Sequence, residues 1–243
     1  MLAWAAVRGR VQAARRAPPV PTSLNHALGA FRMAKQDRAV RTREELIRSA
    51  AESFGRSGFG LSSLSGISAG AGVSSGALHF HFASKRELGE AVEEAAARTL
   101  GVIIAPCPPS HPDPLRVLVD TSHLLARRIT QDVVLRAAFG LGNDATWQGG
   151  GTLWQEWRRW VRATLTLAGE RGHLAADVLP DAAVSAVTAA VVGSDILGRA
   201  DAEWSSCRAL TQFWSLMLPR LAVRGGDAGL PEPVSNCPAT LRP

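Results

Sequence analysis

Residues 62–88 read SSLSGISAGAGVSSGALHFHFASKREL, and the fold turns on this stretch. Ser62 and Ser63 are placed to cap a short helix whose buried side is Leu64, Ile67 and Ala71. Gly72 stands where the chain must turn sharply, and Val73 puts an apolar plug beneath the turn. Ser74 then caps a second helix reaching about Phe82, with Leu78 and Phe82 four apart on its inner side. Its outer side carries Ser75, Gly76, Ala77, His79 and Phe80, groups that are small or hydrogen-bonding and fit against base edges, and the capping Ser62, Ser63 and Ser74 join them as candidate DNA contacts. Ser84 with Glu87 three residues on is a capping box that opens the next helix. Two short helices about a glycine turn make a helix-turn-helix. An ordinary core hairpin is the bland alternative, but a solvated helix face would be rich in lysine and glutamate, and this one is not.

Outward from the motif, the chain reads as all-α. Thr42 and Glu45 form a second capping box, opening a helix with Leu46, Ile47, Ala50, Ala51 and Phe54 at helical spacing until Gly58 stops it. The helix from Ser84 to about Ile104 turns Leu88, Ala91, Val92 and Ala95 to one side. A proline-rich break, Pro106 to Pro114, follows. Asp113 with Pro114 starts a helix to about Ile129, a shorter one spans about Val133 to Leu141, and a loop runs through Gly149, Gly150 and Gly151. Residues 152–171 carry Trp154, Trp157, Val161, Leu165 and Ala168 as one stripe, bordered by Leu153, Trp160 and Leu167, which must be buried. Val184, Val187 and Val191 mark a helix with a small-residue surface. The last helix, from about Asp201 to Ala222, is apolar over Leu210, Phe213, Trp214, Leu216, Met217, Leu218 and Leu221. These cover an arc of roughly 200 degrees, more than one buried face requires, so a second partner is expected there. The expected organisation is a leader over 1–32, a three-helix head over 33–84, a larger helical domain over 85–224 and a disordered tail over 225–243.

Composition excludes other classes. The 243 residues are 46% hydrophobic and 20% charged, enough for a sizeable core. The longest uncharged run in the second half, Ala182 to Ser194, is short of the roughly 18–20 residues that span a bilayer, so no membrane helix is expected. Cys107, Cys207 and Cys237 are odd in number and lack metal-ligand spacing, which points to a reducing, cytoplasmic setting without disulfide or zinc. Residues 1–32 hold five arginines (Arg8, Arg10, Arg15, Arg16, Arg32) and no acid, and so supply 5 of the net +6. Met33 is the expected natural start, with a phosphate-binding arm and a transit-like peptide as alternatives.

Arg41, Arg43 and Lys85 lie at or near expected helix starts, where amides and cationic side chains can grip phosphates together; for the arginines, plain surface charge is the alternative. His79 and His81 are two apart on a helix, about 200 degrees around it, so they cannot share a metal ion. His111, His123 and His173 are scattered, with no nucleophile motif beside them, and neither an enzyme nor a cofactor is implied. Trp147, Trp154 and Trp157 have two readings: ordinary core, or an effector pocket of rigid aromatic faces in which Thr121, Gln131 or Thr164 orients the ligand.

The run from Ile67 to Leu88, ISAGAGVSSGALHFHFASKREL, resembles the tetracycline-repressor (TetR) family of regulators. With AVRTREELIRSAAESF before it, from Ala39 to Phe54, it is most similar to the γ-butyrolactone receptor branch. His79 stands where tyrosine is usual and Ser75 where lysine is frequent. Gly66 and Gly70 weaken the first short helix by about 1 kcal/mol each relative to alanine. The resemblance implies a phosphate-contacting lysine at Lys85, a ligand cavity in the C-terminal domain with a tryptophan important for lactone binding, and a four-helix bundle made by the last two helices of each subunit. The run WQGGGTLWQEW from Trp147 also resembles the pseudo-receptor subgroup, which responds to antibiotics or their intermediates. The expected function is therefore a homodimeric repressor of antibiotic genes in an actinomycete-like bacterium, bound to a palindromic operator and released by a small hydrophobic effector. The rival is a ligand-independent DNA-binding module acting through a protein partner.

Overall fold

The computed structural model of the chain describes residues 22–104, 113–149, 152–201, 204 and 206–223. Among these the helices are, in chain order, α1 (Thr22–Leu61), α2 (Leu64–Gly70), α3 (Ser75–His81), α4 (Lys85–Ile103), α5 (Pro114–Gln131), α6 (Val133–Leu141), α7 (Thr152–Glu170), α8 (Pro180–Ala200) and α9 (Ser206–Leu221). The described residues hold no strand beyond an isolated pairing of Leu174 with Ala222, so the fold is all-α as expected. The chain divides into two units, Met1–Arg41 and Thr42–Pro243. In the first, the described residues are the opening of α1, where Met33, Gln36, Asp37, Arg38, Val40 and Arg41 are exposed. Residues 1–21 of the expected leader, and the expected tail, lie outside the described residues.

α1 corrects one expectation. Thr42 does not cap it, because the helix is already running from Thr22. The residues before Thr42 are mostly good helix formers, and extending an existing helix costs far less than nucleating one, so a potential cap inside the run is passed over. The expected stop at Gly58 is present: its backbone leaves the helix at φ 74°, ψ 168°, a conformation open to glycine and strained for other residues.

In the second unit α2 and α3 form about the glycine turn. Ser63 caps α2 by accepting the Gly66 N–H at 3.1 Å. Gly72 (φ 66°) closes the helix while its N–H reaches Ala69 O and that of Val73 reaches Ser68 O, both at 3.0 Å. This paired bond pattern satisfies the last carbonyls of α2. Leu46, Ala50, Ala51, Ile67, Leu78, Phe82, Leu88 and Val92 are buried together, and full burial of side chains such as Ile67 and Leu78 stabilises by about 1.5–3 kcal/mol each. Gly70 has a reason that propensity hides: a Cβ there would lie 2.5 Å from Ser49 Oγ, which donates to Ile67 O at 2.8 Å. α2 rests that closely on α1.

The larger domain packs α4 on α6, α7 on α8, α8 on α9, and α5 against α7 and α9. Val184, Val187 and Val191 are buried, as their spacing requires. By length and composition Pro180–Arg199 of α8 is a helix that reaches membrane-spanning dimensions, longer than the uncharged run alone indicates. Its valines are used inside the domain, and its Asp195 is buried and paired with Arg199 at 2.6 Å. The broad apolar arc of α9 also divides. Leu210, Trp214 and Leu221 are buried within the protomer, Trp214 Nε1 donating to Ser122 Oγ of α5 at 2.8 Å. Leu216 is 75% exposed, as are Ile196 and Leu197 on α8 to 46% each.

Candidate DNA interface and effector site

α3 has one inward and one outward side. Ser74 caps it by accepting the Ala77 N–H at 3.2 Å, and Leu78 (0% exposed) and Phe82 (1%) pin it to the head. Ser75, Gly76, His79 and Phe80 are exposed and Ala77 half-buried, so the residues read as base-facing share the free side. Phe80 is 81% exposed, a large apolar ring held in water on a helix without a single acid. Ser63 is exposed at the start of α2. Ser62 is not: its hydroxyl donates to Gly58 O at 2.7 Å and accepts from Ser53 at 3.0 Å, which commits it to the turn before α2.

The phosphate candidates are rearranged. With α1 beginning at Thr22, Arg41 and Arg43 are mid-helix, where backbone amides are already bonded and only the guanidinium groups can act. Arg41 is exposed; the Arg43 guanidinium lies 5.2 Å from the centre of the Phe82 ring, bracing it above α3. Lys85 departs furthest from the reading. Its ammonium donates to Phe59 O (2.8 Å), Gly60 O (3.1 Å) and Ser62 O (2.9 Å), and stands 4.6 Å from the centre of the Phe59 ring. All three of its donors are used to close the end of α1.

The tryptophans separate into two places. Trp154 and Trp157 lie on the packed face of α7. Trp157 is fully buried and stacked on Trp160 (centroids 5.1 Å, 21°), and Trp154 lies against Phe139 of α6 at 4.2 Å. Both indole Nε1 atoms are buried with no acceptor, and so is Thr188 Oγ1 of the neighbouring α8. Each such group costs about 1–3 kcal/mol while it stays unsatisfied. Thr164 is buried on the same helix and donates to Trp160 O at 3.0 Å, leaving its oxygen lone pairs as acceptors. Thr121 is half-buried on α5, whereas Gln131 is exposed at the end of that helix. Trp147 is elsewhere: it packs against Phe59, with centroids 4.7 Å apart, and donates to Glu93 at 3.0 Å, at the junction of head and larger domain.

Residues 46–92 match the family of bacterial regulatory proteins of the tetR type. The chain is 29% identical over 194 residues to the A-factor receptor protein of Streptomyces griseus, covering 79% of this chain and 68% of that one. A crystal structure of a γ-butyrolactone receptor, an ArpA-like protein, is 30% identical with a TM-score of 0.66, covering 76% of this chain and 90% of that one. The chain belongs to the TetR family. Within it, the chain is a regulator of the γ-butyrolactone receptor type. A TetR-family protein from Streptomyces coelicolor, CprB, solved in complex with its operator sequence, is 29% identical with a TM-score of 0.65, over 77% of this chain and 91% of that one.

TetR regulators bind operator DNA and small-molecule ligands and are dimeric, and they are not enzymes. Among the described residues no three His, Cys, Asp or Glu side chains gather as metal ligands. Sequence reading missed Thr188, whose hydroxyl follows Val187 on the valine-bearing helix α8. It also missed Asp144 and Glu93, whose roles depend on residues far away in the chain.

Proposed function

We propose that the chain is a repressor of secondary-metabolite genes that binds a palindromic operator as a homodimer and leaves it when a small, largely apolar effector occupies the α7 region. The observation that carries this reading is the free side of α3: Ser75, Gly76, His79 and Phe80 point outward together while Leu78 and Phe82 hold the helix down. Such a helix suits the major groove, His79 offering hydrogen bonds and Phe80 an apolar face for thymine methyl groups. The exposed Ile196, Leu197 and Leu216 on α8 and α9 supply the surface for a second copy. In a dimer the two α3 helices must match major grooves about 34 Å apart, so an effector that alters their separation uncouples the half-sites. The work is done on chromosomal DNA, in the cytoplasm.

The effector is expected to carry acceptor oxygens on an apolar frame. Trp154 and Trp157 have unpaired indole N–H groups between aromatic faces, and Thr188 adds a hydroxyl. A lactone or ketone oxygen satisfies such donors while the rest of the ligand takes the apolar walls. The test is a gel shift on the protein's own promoter, repeated with a synthetic 2-acyl γ-butyrolactone and with extract of the producing culture. His79→Ala and Phe80→Ala are expected to weaken specific binding by about 1–3 kcal/mol each and to spare non-specific binding. Equal losses on operator and random DNA would remove α3 from the groove.

A further inference from the structure

A loop of the larger domain is fitted into the head. Between α6 and α7, Asp144 Oδ2 accepts the Phe59 N–H at 2.7 Å, across 85 residues of sequence. Its Oδ1 accepts the Thr146 N–H at 2.8 Å and the Thr146 hydroxyl at 2.5 Å, so the carboxylate is fixed from both sides. Trp147 follows, edge-on to Phe59 and bonded to Glu93 of α4, and Arg86 of α4 reaches Gln148 O at 3.4 Å. Three glycines make room for this loop. A Cβ on Gly58 would lie 3.0 Å from Asp144 Oδ2, one on Gly60 3.1 Å from the Thr146 side chain, and one on Gly89 2.5 Å from the Trp147 ring.

The other end of the same loop meets the effector region. Gly142, where the chain leaves α6, lies beside Trp154: a Cβ on it would be 3.3 Å from the indole Cδ1. Trp154 packs on Phe139 of α6, and its own N–H is unpaired. One short loop therefore touches, at one end, a tryptophan that lacks a hydrogen-bond partner. At the other it holds the turn before the helix-turn-helix, whose carbonyls Lys85 also grips.

We infer that Gly142–Gly149 is a latch that couples the α7 region to the head: Asp144 and Trp147 hold the Phe59 turn, and movement of Trp154 pulls on them through Gly142. This rests on the reading of the chain as an operator-binding regulator, but on no particular effector. Coupling is reciprocal, so DNA bound to the head must be felt at α7 through the same loop. That allows a test with DNA alone. The full-length protein is subjected to hydrogen exchange with and without a duplex carrying the tightest site selected from a random-sequence pool. In the unmodified protein, DNA is expected to change exchange over residues 142–149 and 152–160 by about fivefold or more, the low end of ordinary coupling. Asp144→Ala removes the acceptor for Phe59, and Gly89→Ala expels the Trp147 ring. Thermal melting and fluorescence anisotropy first establish that each variant is folded and binds the duplex. Both are expected to keep DNA protection in α3 and to lose the response in α7. An α7 response that persists in the variants, or one lacking in the unmodified protein, overturns the latch. A protein that selects no DNA site refutes the operator reading itself, and the latch with it, which is a separate and recognisable result.

Discussion

Lys85 is where the geometry most changes the expected chemistry. An ammonium that gives all its donors to Phe59, Gly60 and Ser62 carbonyls acts first on the fold. Lys85→Ala is expected to cost about 1–3 kcal/mol of stability by leaving these carbonyls short of donors, read as a fall in Tm in the absence of DNA. An unchanged Tm with weaker binding to every sequence would return Lys85 to a phosphate. Trp157 makes the opposite case, a donor with nothing to give to. Trp157→Phe keeps an aromatic ring and deletes the N–H, so a lactone bonded there should lose about tenfold in affinity, near the value of one hydrogen bond. Calorimetric titration checks this, and equal affinity would place the lactone oxygen elsewhere. Asp144 supplies a pH prediction. The Thr146 side-chain hydrogen bond, followed by the Phe59 and Thr146 amides and the nearby Lys85, holds its carboxyl below the ordinary 3.8 against a smaller opposing effect of burial. A depressed carboxylate stabilises the fold above its unfolded pKa and loses that contribution as pH falls through its folded one. The Tm advantage of the unmodified protein over Asp144→Asn should thus be constant from pH 8 to about pH 5 and shrink below pH 3.8. A difference that changes near neutrality would assign the titration to another group.

At the scale of elements, what was legible in the sequence was local. Ser63, Ser74, Ser84, Asp113 and the glycine turn at Gly72 are interpretable from neighbours three or four residues away, and the starts of α2, α3, α4 and α5 follow from them. The two sides of α3 were legible for the same reason, since Leu78 and Phe82 fix its inner face. Thr42 shows the limit: a capping box records that a helix can start there, and an upstream segment able to continue the helix cancels it. Trp147, Trp154 and Trp157 look alike in one aromatic run, yet Trp147 belongs to a loop whose position is set by Phe59, Gly89 and Glu93, far off in the sequence. Ser62 beside Ser63 is a similar case. Both can cap, and the fold gives one the cap and buries the other against Gly58. The α9 arc is a further case: its period shows more apolar positions than one buried face requires, but cannot register Ser122 on α5 as the partner that places Trp214 inside the protomer.

For the whole molecule, the division of α9 decides how its dimer should be tested. Trp214 is core, so charging it would unfold the protomer. Leu216, 75% exposed, probes the surface alone. Leu216→Glu is expected to give folded monomers at micromolar concentration with an unchanged helical spectrum and a large loss of operator affinity, since half-sites would be bound one at a time. Sedimentation velocity reads the outcome, and a variant that stays dimeric moves the interface off this part of α9. The three glycines that receive the loop carry a consequence for genetics. Gly58 and Gly60 flank Phe59 at the end of α1 and Gly89 is on α4, all outside both the free side of α3 and the aromatic face of α7, yet a side chain at any of them meets the same loop. A selection for alleles blind to the inducing signal should therefore return a scattered set of glycine replacements alongside changes at Asp144 and Trp147. Such alleles would map to neither binding surface, and their common phenotype would make sense only as one small volume seen from five codons.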